Sequence, residues 1–496
     1  MRTREYEYSM KKFAVVLNFA FGLLLCLPLF LVGCGQNAEK LSSYQISATY
    51  DDDAKSLQCA QSVEYVNSSD NVLNEVCFFL YSNAFDEGQK VVSTSYTTRA
   101  YPNGESFGNI EFSSVEVGGT VAQFSISESG AILTVALVEE LFPNEAVTID
   151  MEYCVNLANI RHRLGYGNST VNFGNFFPIA CVYENGFVKN EFATNGDPFY
   201  SDVSNFEVEI TYPQSFTLAS TSEVTAESSN AGEVTATISA PKVRDFCFVL
   251  SEKFEKISAD ADGVTVNYYF YDDDNAQAHL ETAVKAVETF GELFGKYPYS
   301  QLSVVKNDFC FGGMEYPNLV MIADDLDAET VDYVIVHEIA HQWWYGVVGN
   351  NEFTDAWVDE GLTEFSCALF YEKNSEYGLQ YSVIMENARA TYQNFVRIFG
   401  SIYGQCDESM DRNLNQFATE PEYVNCTYTK GMLLFDCLRA SMSDRKFFKC
   451  LRDYFEDYSF KNSSSERLIE SFSKSAGINL EGLFKSWTNG TVKIGI

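Results

Sequence analysis

Short alternating runs of apolar and polar residues fill the sequence from about Ser43 to Leu250. The run FEVEITY at Phe206–Tyr212 is typical, because every second residue is apolar, as in a strand with one buried face. Turn signals such as Asn103-Gly104 and Asn185-Gly186 separate the runs. The pattern predicts a β-sandwich or saddle-like domain, which we place at residues 46–257.

The pattern changes from strand-like to helical after Ala259–Gly263. The segment Ala276–Phe294 carries apolar residues at helical spacing and stops before Tyr297-Pro298. Three later stretches without internal proline also favour helix: Thr330–Trp344, Asp359–Glu372 and Lys430–Met442. The sequence therefore predicts an α+β multidomain chain, in which the β domain precedes a mostly helical domain at residues 258–496.

The first 34 residues have the composition of a leader segment. Lys11 and Lys12 precede the apolar run Phe13–Cys34, which is long enough to be a transmembrane anchor. The run ends in Leu31-Val32-Gly33-Cys34, which resembles the bacterial lipobox. This ending favours a signal peptide at 1–33, a lipid on Cys34 and a tether at 34–45, although conventional cleavage stays open. We therefore expect a lipoprotein that is anchored to the bacterial cell membrane and works outside the cytoplasm.

The chain is strongly acidic, with 69 acidic residues, 33 basic residues and a net charge of −36. Such an excess leaves no basic surface for phosphates, so it excludes nucleic acid as a partner. Eleven of the 13 cysteines follow the leader and show no C-x-x-C spacing, so we expect mostly small buried hydrophobes. The sequence leaves the oligomeric state open.

The string HEIAH at residues 337–341 is the first candidate for chemistry. On a helix, His337 and His341 lie one turn apart on one face, and Glu338 lies beside them. The alternative is an amphipathic helix with exposed or capped histidines. Only two other histidines occur in the chain, His162 and His279, and their polar surroundings predict surface positions.

A third ligand is needed for a catalytic zinc site, and Glu360 is the candidate. It lies 19 positions beyond His341, at the head of a second predicted helix, within WVDEG. HEIAHQWW followed at this distance by W-x-x-E-G resembles the aminopeptidase N-type zinc metallopeptidases (gluzincins). The resemblance implies one Zn²⁺ per chain in a thermolysin-like domain, and the short C-terminal part indicates the short two-domain bacterial form.

Two more strings carry the resemblance. FGGMEYP at Phe311–Pro317 is similar to the family's G-x-M-E-N motif, and Tyr428-Thr429-Lys430-Gly431 matches its Y-x-K-G motif. The resemblance implies that Gly312, Gly313 and Met314 line an extended substrate, and that Glu315 holds its free α-ammonium group. It also implies that Tyr428 stabilises the oxyanion. Tyr316 replaces the family's asparagine, which bears on the shape of the amine pocket.

These residues together predict a zinc-dependent aminopeptidase for peptides with a free N-terminus. Glu338 is expected to act as the general base. Glu364, and less strongly Asp355, are candidates for a carboxylate that orients a metal ligand. Two alternatives stay open: a gluzincin endopeptidase in which Glu315 is only structural, and a surface lipoprotein that binds peptides without cleaving them.

Overall fold

The N-terminal part of the described chain is built from β-strands. The computed structural model describes residues 40–494, so the predicted signal peptide and Cys34 lie outside the described residues. The strands of this part are β1 (Ser43–Asp51), β2 (Ser56–Val66), β3 (Leu73–Phe79), β4 (Asn109–Val117), β5 (Thr120–Val121), β6 (Phe124–Ile126), β7 (Ile132–Leu141), β8 (Ala146–Asn156), β9 (Leu164–Tyr166), β10 (Val171–Phe173), β11 (Ile179–Ala180), β12 (Ser204–Pro213), β13 (Thr217–Ser220), β14 (Val224–Asn230), β15 (Glu233–Val243) and β16 (Phe248–Ser251).

These strands form one eight-stranded sheet and two four-stranded sheets. The large sheet has the order β14-β15-β12-β1-β2-β8-β4-β5, and the smaller ones are β13-β16-β10-β9 and β11-β3-β7-β6. In β1, buried and exposed residues alternate, so Tyr44, Ile46, Ala48 and Tyr50 face the core. The predicted β-rich domain is confirmed, and its core is rich in aromatic side chains.

A five-stranded sheet opens the second part of the chain. It contains β17 (Glu255–Ala261), β18 (Val264–Phe270), β19 (Gln301–Asn307), β20 (Gly313–Met314) and β21 (Leu319–Ala323), in the order β17-β18-β19-β21-β20. The sequence pattern did not predict β19 and β21, because short continuous apolar runs look the same in a buried strand and a buried helix. Strand β17 crosses the predicted boundary between 257 and 258, and that boundary stays a prediction.

The remainder is mostly helical, as predicted. The α-helices of the described chain are α1 (Thr97–Ala100), α2 (Ala276–Phe294), α3 (Ala328–Ala340), α4 (Glu352–Lys373), α5 (Tyr381–Tyr403), α6 (Glu420–Val424), α7 (Lys430–Ala440), α8 (Asp444–Tyr458), α9 (Ser465–Ala476) and α10 (Glu481–Thr488), and two short strands, β22 (Val348–Gly349) and β23 (Lys461–Asn462), pair beside them. Helix α2 has the bounds that its apolar spacing predicts. Within residues 40–494, no helix is both long and apolar enough to cross a membrane.

Helix α4 begins seven residues earlier than the predicted helix. Its backbone is non-helical at Asp355, with φ −127° and ψ 32°, so a first turn precedes a kink. Asn351 caps the first turn by accepting a hydrogen bond from the backbone N–H of Phe353. Glu360 therefore lies in the body of α4 and not at its head, which corrects the predicted helix start.

Helices α4 and α7 cross at two glycines whose backbones touch. A Cβ atom on Gly361 would lie 2.8 Å from the Cα of Gly431, and one on Gly431 would lie 2.6 Å from the Cα of Gly361. No side chain fits there, so both positions require glycine. Since Gly361 follows Glu360 and Gly431 lies three residues after Tyr428, this contact sets the distance between those two side chains.

Arg244 joins the two parts of the chain. It follows β15 and is buried, and its guanidinium donates to the backbone oxygen of Ser201 (2.9 Å) and to Asn462 Oδ1 (2.8 Å). A Cβ atom on Gly349 would lie 2.1 Å from Arg244 Nη1, so β22 passes directly over the guanidinium. The buried cation thus binds the β-rich part to the helical part.

We expect Gly431→Ala to separate α4 from α7. Forcing a methyl group into this contact should cost about 1–3 kcal/mol in the free energy of unfolding, measured by urea denaturation. The matched control is Gly291→Ala in α2, where a new Cβ meets nothing within 4 Å. That change should stabilise the protein by about 0.5–1 kcal/mol. Equal effects of the two substitutions would contradict a specific glycine contact between α4 and α7.

Candidate metal centre and active site

Three side chains converge as the sequence predicts. His337 Nε2 and His341 Nε2 lie 3.1 Å apart, and Glu360 Oε2 lies 3.4 Å from the first and 3.3 Å from the second. Zn²⁺ with bonds of about 2.0–2.1 Å in tetrahedral geometry needs ligand atoms about 3.3 Å apart. Glu360 Oε2 is buried and accepts no hydrogen bond. The spacing and the unpartnered oxygen both fit a zinc ion.

The far nitrogens of both imidazoles are held by other groups. His341 Nδ1 lies 3.1 Å from the backbone oxygen of Trp344, and His337 Nδ1 lies 3.1 Å from Glu364 Oε1. Both partners are acceptors, so they place the ring proton on Nδ1 and leave Nε2 for a metal. Glu364 therefore makes the contact with His337 that the predicted orienting role requires. Asp355 makes no such contact; it accepts a hydrogen bond from Ser465 Oγ at 2.7 Å.

The two histidines take up protons easily when no metal competes. Burial alone would lower the pKa of His341, but the carboxylates of Glu315 and Glu360 outweigh it and raise the pKa to about 10. The pKa of His337 is also raised, because its contacts with Cys367, Glu360 and Glu364 outweigh burial. The carboxylates thus give the site a strongly negative electrostatic potential, which suits it to a cation.

Glu338 lies between the metal ligands and the edge of the five-stranded sheet. A Cβ atom on Gly313 would lie 2.2 Å from Glu338 Oε1, so this carboxylate occupies the space that glycine leaves. Its other oxygen, Oε2, is buried and makes no hydrogen bond. Burial raises the pKa of Glu338 to about 8, and the nearby Glu315 adds to the effect. A carboxylate with this pKa can exchange a proton near neutral pH.

Strand β20, which contains Gly313 and Met314, is the edge strand of its sheet. It pairs with β21 on one side only, so its other edge is open to an added strand. Gly312 is half-buried, and its backbone oxygen accepts a hydrogen bond from Ala323 N–H at 2.9 Å. The side chain of Met314 is fully buried in the core, so only its backbone is available to an extended ligand.

Glu315 follows β20 directly, and its carboxylate lies at the site. Oε1 is buried and accepts no hydrogen bond. A carboxylate oxygen of Glu315 lies within 4.8 Å of ligand atoms of Glu338 and His341, and in a second group a carboxylate oxygen of Glu315 lies equally close to Asp359 and Glu360. A buried carboxylate without a donor is costly unless a cation completes it. Glu315 therefore has the surroundings of a residue that binds a positively charged group.

Asp359 and Asp197 are carboxylates beside the site that were not predicted from the sequence. Asp359 is buried next to Glu360 and accepts a hydrogen bond from Asn350 Nδ2 at 2.9 Å. Asp197 comes from the β-rich part and forms an ion pair with the buried Arg163. Burial raises the pKa of Asp197 to about 7; Arg163 opposes this rise, and Glu315 adds to it. The only sequence signal for Asp197 is its place in the segment GDPFYS.

Tyr428 contacts two of the metal ligands, His337 and Glu360. Its hydroxyl donates to Glu360 Oε1, and its ring lies parallel to the His337 imidazole with centroids 5.9 Å apart. It lies in a π-helical turn, Asn425–Thr429, that continues into α7. Burial and the Glu360 carboxylate raise the pKa of Tyr428 well above its usual value, so the phenol keeps its proton.

Tyr316 points away from the ligand cluster. It is fully buried, and its hydroxyl donates to Asn175 Oδ1 in the β-rich part. A Cβ atom on Gly174 would lie 2.0 Å from that hydroxyl, so the ring packs directly against the backbone there. The substitution of tyrosine for the motif asparagine is therefore accommodated by the β-rich part.

The predicted surface positions of His162 and His279 are wrong. His162 is fully buried between the rings of Phe85 and Phe311, and burial lowers its pKa well below the usual value. His279 is buried on α2, with Nδ1 2.9 Å from Asp273 Oδ2. Neither belongs to the groups of side chains that could hold a metal within residues 40–494.

Comparison with known proteins agrees with this site. Residues 278–487 match the peptidase family M1 domain. The puromycin-sensitive aminopeptidase of Caenorhabditis elegans is 24% identical over 333 residues, which cover 63% of this chain and 34% of that protein. The chain thus spans about a third of that relative's length.

The fold is also similar to that of solved structures. The M1 zinc metallopeptidase from Deinococcus radiodurans has a TM-score of 0.65 at 17% identity, covering 91% of this chain and 94% of that one. A mutant of that enzyme bound to a Tyr-Ser-Ala substrate gives 0.63 at 16% identity, covering 91% and 94%. The part of the chain that matches the peptidase family M1 domain contains the His₂Glu cluster, and the two-part fold is similar to that of the Deinococcus M1 zinc metallopeptidase.

Proposed function

We propose that this protein is a zinc-dependent aminopeptidase that removes the N-terminal residue of peptides. The observation that carries the proposal is the buried carboxylate of Glu315, which has an unpartnered oxygen and lies beside the His₂Glu cluster at the end of an open edge strand. A peptide that adds to β20 as a strand brings its first residue to this carboxylate. A free α-ammonium group there would complete a charge-assisted pair.

His337, His341 and Glu360 would hold the zinc ion. When bound, Zn²⁺ supplies a Lewis acid that lowers the pKa of a coordinated water to about 7 and polarises the scissile carbonyl. Glu338 accepts the proton of the attacking water and passes it to the leaving amine, a role that its pKa of about 8 supports. Tyr428 keeps its proton and donates to the oxyanion of the transition state.

The substrate class follows from the charges around Glu315. Asp197 interacts electrostatically with Glu315 from the β-rich part but is paired with Arg163, so Glu315 is the carboxylate with an oxygen left for an ammonium group. The Deinococcus neighbour bound to Tyr-Ser-Ala, a tripeptide, supports short peptides as substrates. A gluzincin endopeptidase remains the second candidate, because β20 would accept an internal peptide segment equally well.

We also propose that the protein works outside the cytoplasm as a lipoprotein. The apolar run Phe13–Cys34 and its lipobox-like ending support this location, with the lipid on Cys34 and the membrane as partner. A transmembrane anchor and conventional cleavage are the competing interpretations.

Substrates with a blocked amino terminus should be cleaved with a much lower kcat/KM than substrates with a free one. We expect kcat/KM for aminoacyl-amide substrates to fall about 10- to 150-fold on N-acetylation, the factor of a charge-assisted hydrogen bond of about 1.5–3 kcal/mol. In Glu315→Gln, free-amine substrates should lose a similar factor, so that the two substrate series become alike. If the wild-type protein cleaves both series equally, Glu315 does not bind an amine and the endopeptidase candidate is favoured.

Loss of the base should be separable from loss of the metal. Glu338→Gln should keep one zinc per chain, measured by elemental analysis, while kcat falls about 10²- to 10⁴-fold. Glu360→Ala should lose both the metal and the activity, because it removes a ligand. The control is Glu386→Gln on the exposed side of α5, which should change neither quantity. Full activity of Glu338→Gln would exclude Glu338 as the base.

Membrane attachment should depend on one thiol. Replacing Cys34 by Ala should abolish incorporation of a radiolabelled fatty acid into the protein produced in a bacterial host. The control is Cys26→Ala, which changes the other leader cysteine and should leave labelling intact. Labelling that survives in Cys34→Ala would rule out the lipoprotein assignment.

A further inference from the structure

Four side chains on α3 and α4 interlock beside the metal cluster. On α3, Tyr333 lies one turn before His337; on α4, Glu364 lies one turn after Glu360. Residues four apart share a helix face, so each helix presents two of these side chains to the other. His337 and Glu360 belong to the metal-binding face, and Tyr333 and Glu364 form the next layer.

Glu364 receives one donor on each carboxylate oxygen. Tyr333 Oη donates to Oε2 at 2.6 Å, and His337 Nδ1 lies 3.1 Å from Oε1. The Glu364 side chain is only 15% exposed, so water has little access to compete for these oxygens. Two donors at opposite oxygens fix both the position and the rotation of the carboxylate.

Tyr333 is itself held in place. Its ring lies parallel to that of Tyr371, with centroids 5.9 Å apart and planes inclined by 10°. Burial raises the pKa of Tyr333 well above its usual value, with Glu364 adding to the effect. The hydroxyl therefore stays protonated and acts as a donor to Glu364.

The imidazole of His337 has a competing neighbour. The thiol of Cys367, one turn beyond Glu364 on the same side of α4, is also within hydrogen-bonding reach of His337. A thiol is a weaker acceptor than a carboxylate, so a bond to sulfur would hold the ring less firmly. A carboxylate held 3.1 Å from Nδ1 is therefore the stronger of the two acceptors for orienting the ring.

We propose that Tyr333 is a positioning residue for the metal ligand His337. By donating to Glu364, it holds the carboxylate against Nδ1–H and so keeps Nε2 directed at Glu360 and His341. This inference rests on the proposed zinc site and adds a second layer behind it. Mutation of residues that hydrogen-bond to metal ligands typically lowers metal affinity by about 10- to 100-fold.

Tyr333→Phe should therefore weaken zinc binding while leaving chemistry at saturating zinc nearly intact. We expect the zinc dissociation constant to rise about 10-fold or more, with kcat at saturating zinc close to the wild-type value. The measurement is a competition titration of the full-length protein with a chromogenic zinc chelator. The matched control is Tyr371→Phe, which removes the hydroxyl of the stacked ring but not the bond to Glu364.

A second variant separates positioning from general packing. Glu364→Gln should also weaken zinc binding, and the double variant with Tyr333→Phe should be no weaker than Glu364→Gln alone, because both act through one carboxylate. Additive losses, or equal losses in Tyr333→Phe and Tyr371→Phe, would overturn the inference. So would an unchanged zinc affinity in Tyr333→Phe. If the wild-type protein binds no zinc, the proposed function itself fails. If the wild-type protein binds zinc and Tyr333→Phe binds it equally well, only the role of Tyr333 fails.

Discussion

Burial of several carboxylates around two histidines is the constraint on which the rest of the structure depends. Each ionised carboxylate that loses water costs several kcal/mol unless a cation or a set of donors replaces the water. The carboxylates buried at this site are Glu315, Glu338, Glu352, Asp359 and Glu360, and the partly buried Asp197 lies beside them. Arg163 is a buried cation beside them, and it pairs with Asp197. A zinc ion and a substrate ammonium group are the charges that would balance such a site.

The protonation of these groups follows from the same constraint. Both carboxylate oxygens of Glu352 are buried without a hydrogen-bond partner, and burial raises its pKa well above the usual value. Glu360 behaves in the opposite way: although burial opposes it, the contacts with His341 and His337 lower its pKa to about 2. Carboxylates with raised and with lowered pKa values thus coexist within one site.

Glycines set the distances between the parts that carry these groups. At Gly313 the missing side chain admits the Glu338 carboxylate, and at Gly361 it admits the backbone of α7. Both glycines belong to the motifs that also contain site residues, Glu315 and Glu360. The motif glycines therefore act by close approach, which fixes the base against the edge strand and the tyrosine against the metal ligand.

The sequence by itself determined the features that depend on local spacing. The helix Ala276–Phe294, the one-turn separation of His337 and His341, and the place of Glu364 one turn after Glu360 all follow from the helical period. The tertiary structure decided the rest, because it depends on which distant segments meet. Asp197 is close enough to Glu315, 118 positions away in the chain, for the two charges to interact, and the Tyr316 hydroxyl bonds to Asn175 in the β-rich part. No periodicity records such contacts, so the burial of His162 and the second carboxylate near Glu315 emerge only from the packing of the β-rich part against the helical part.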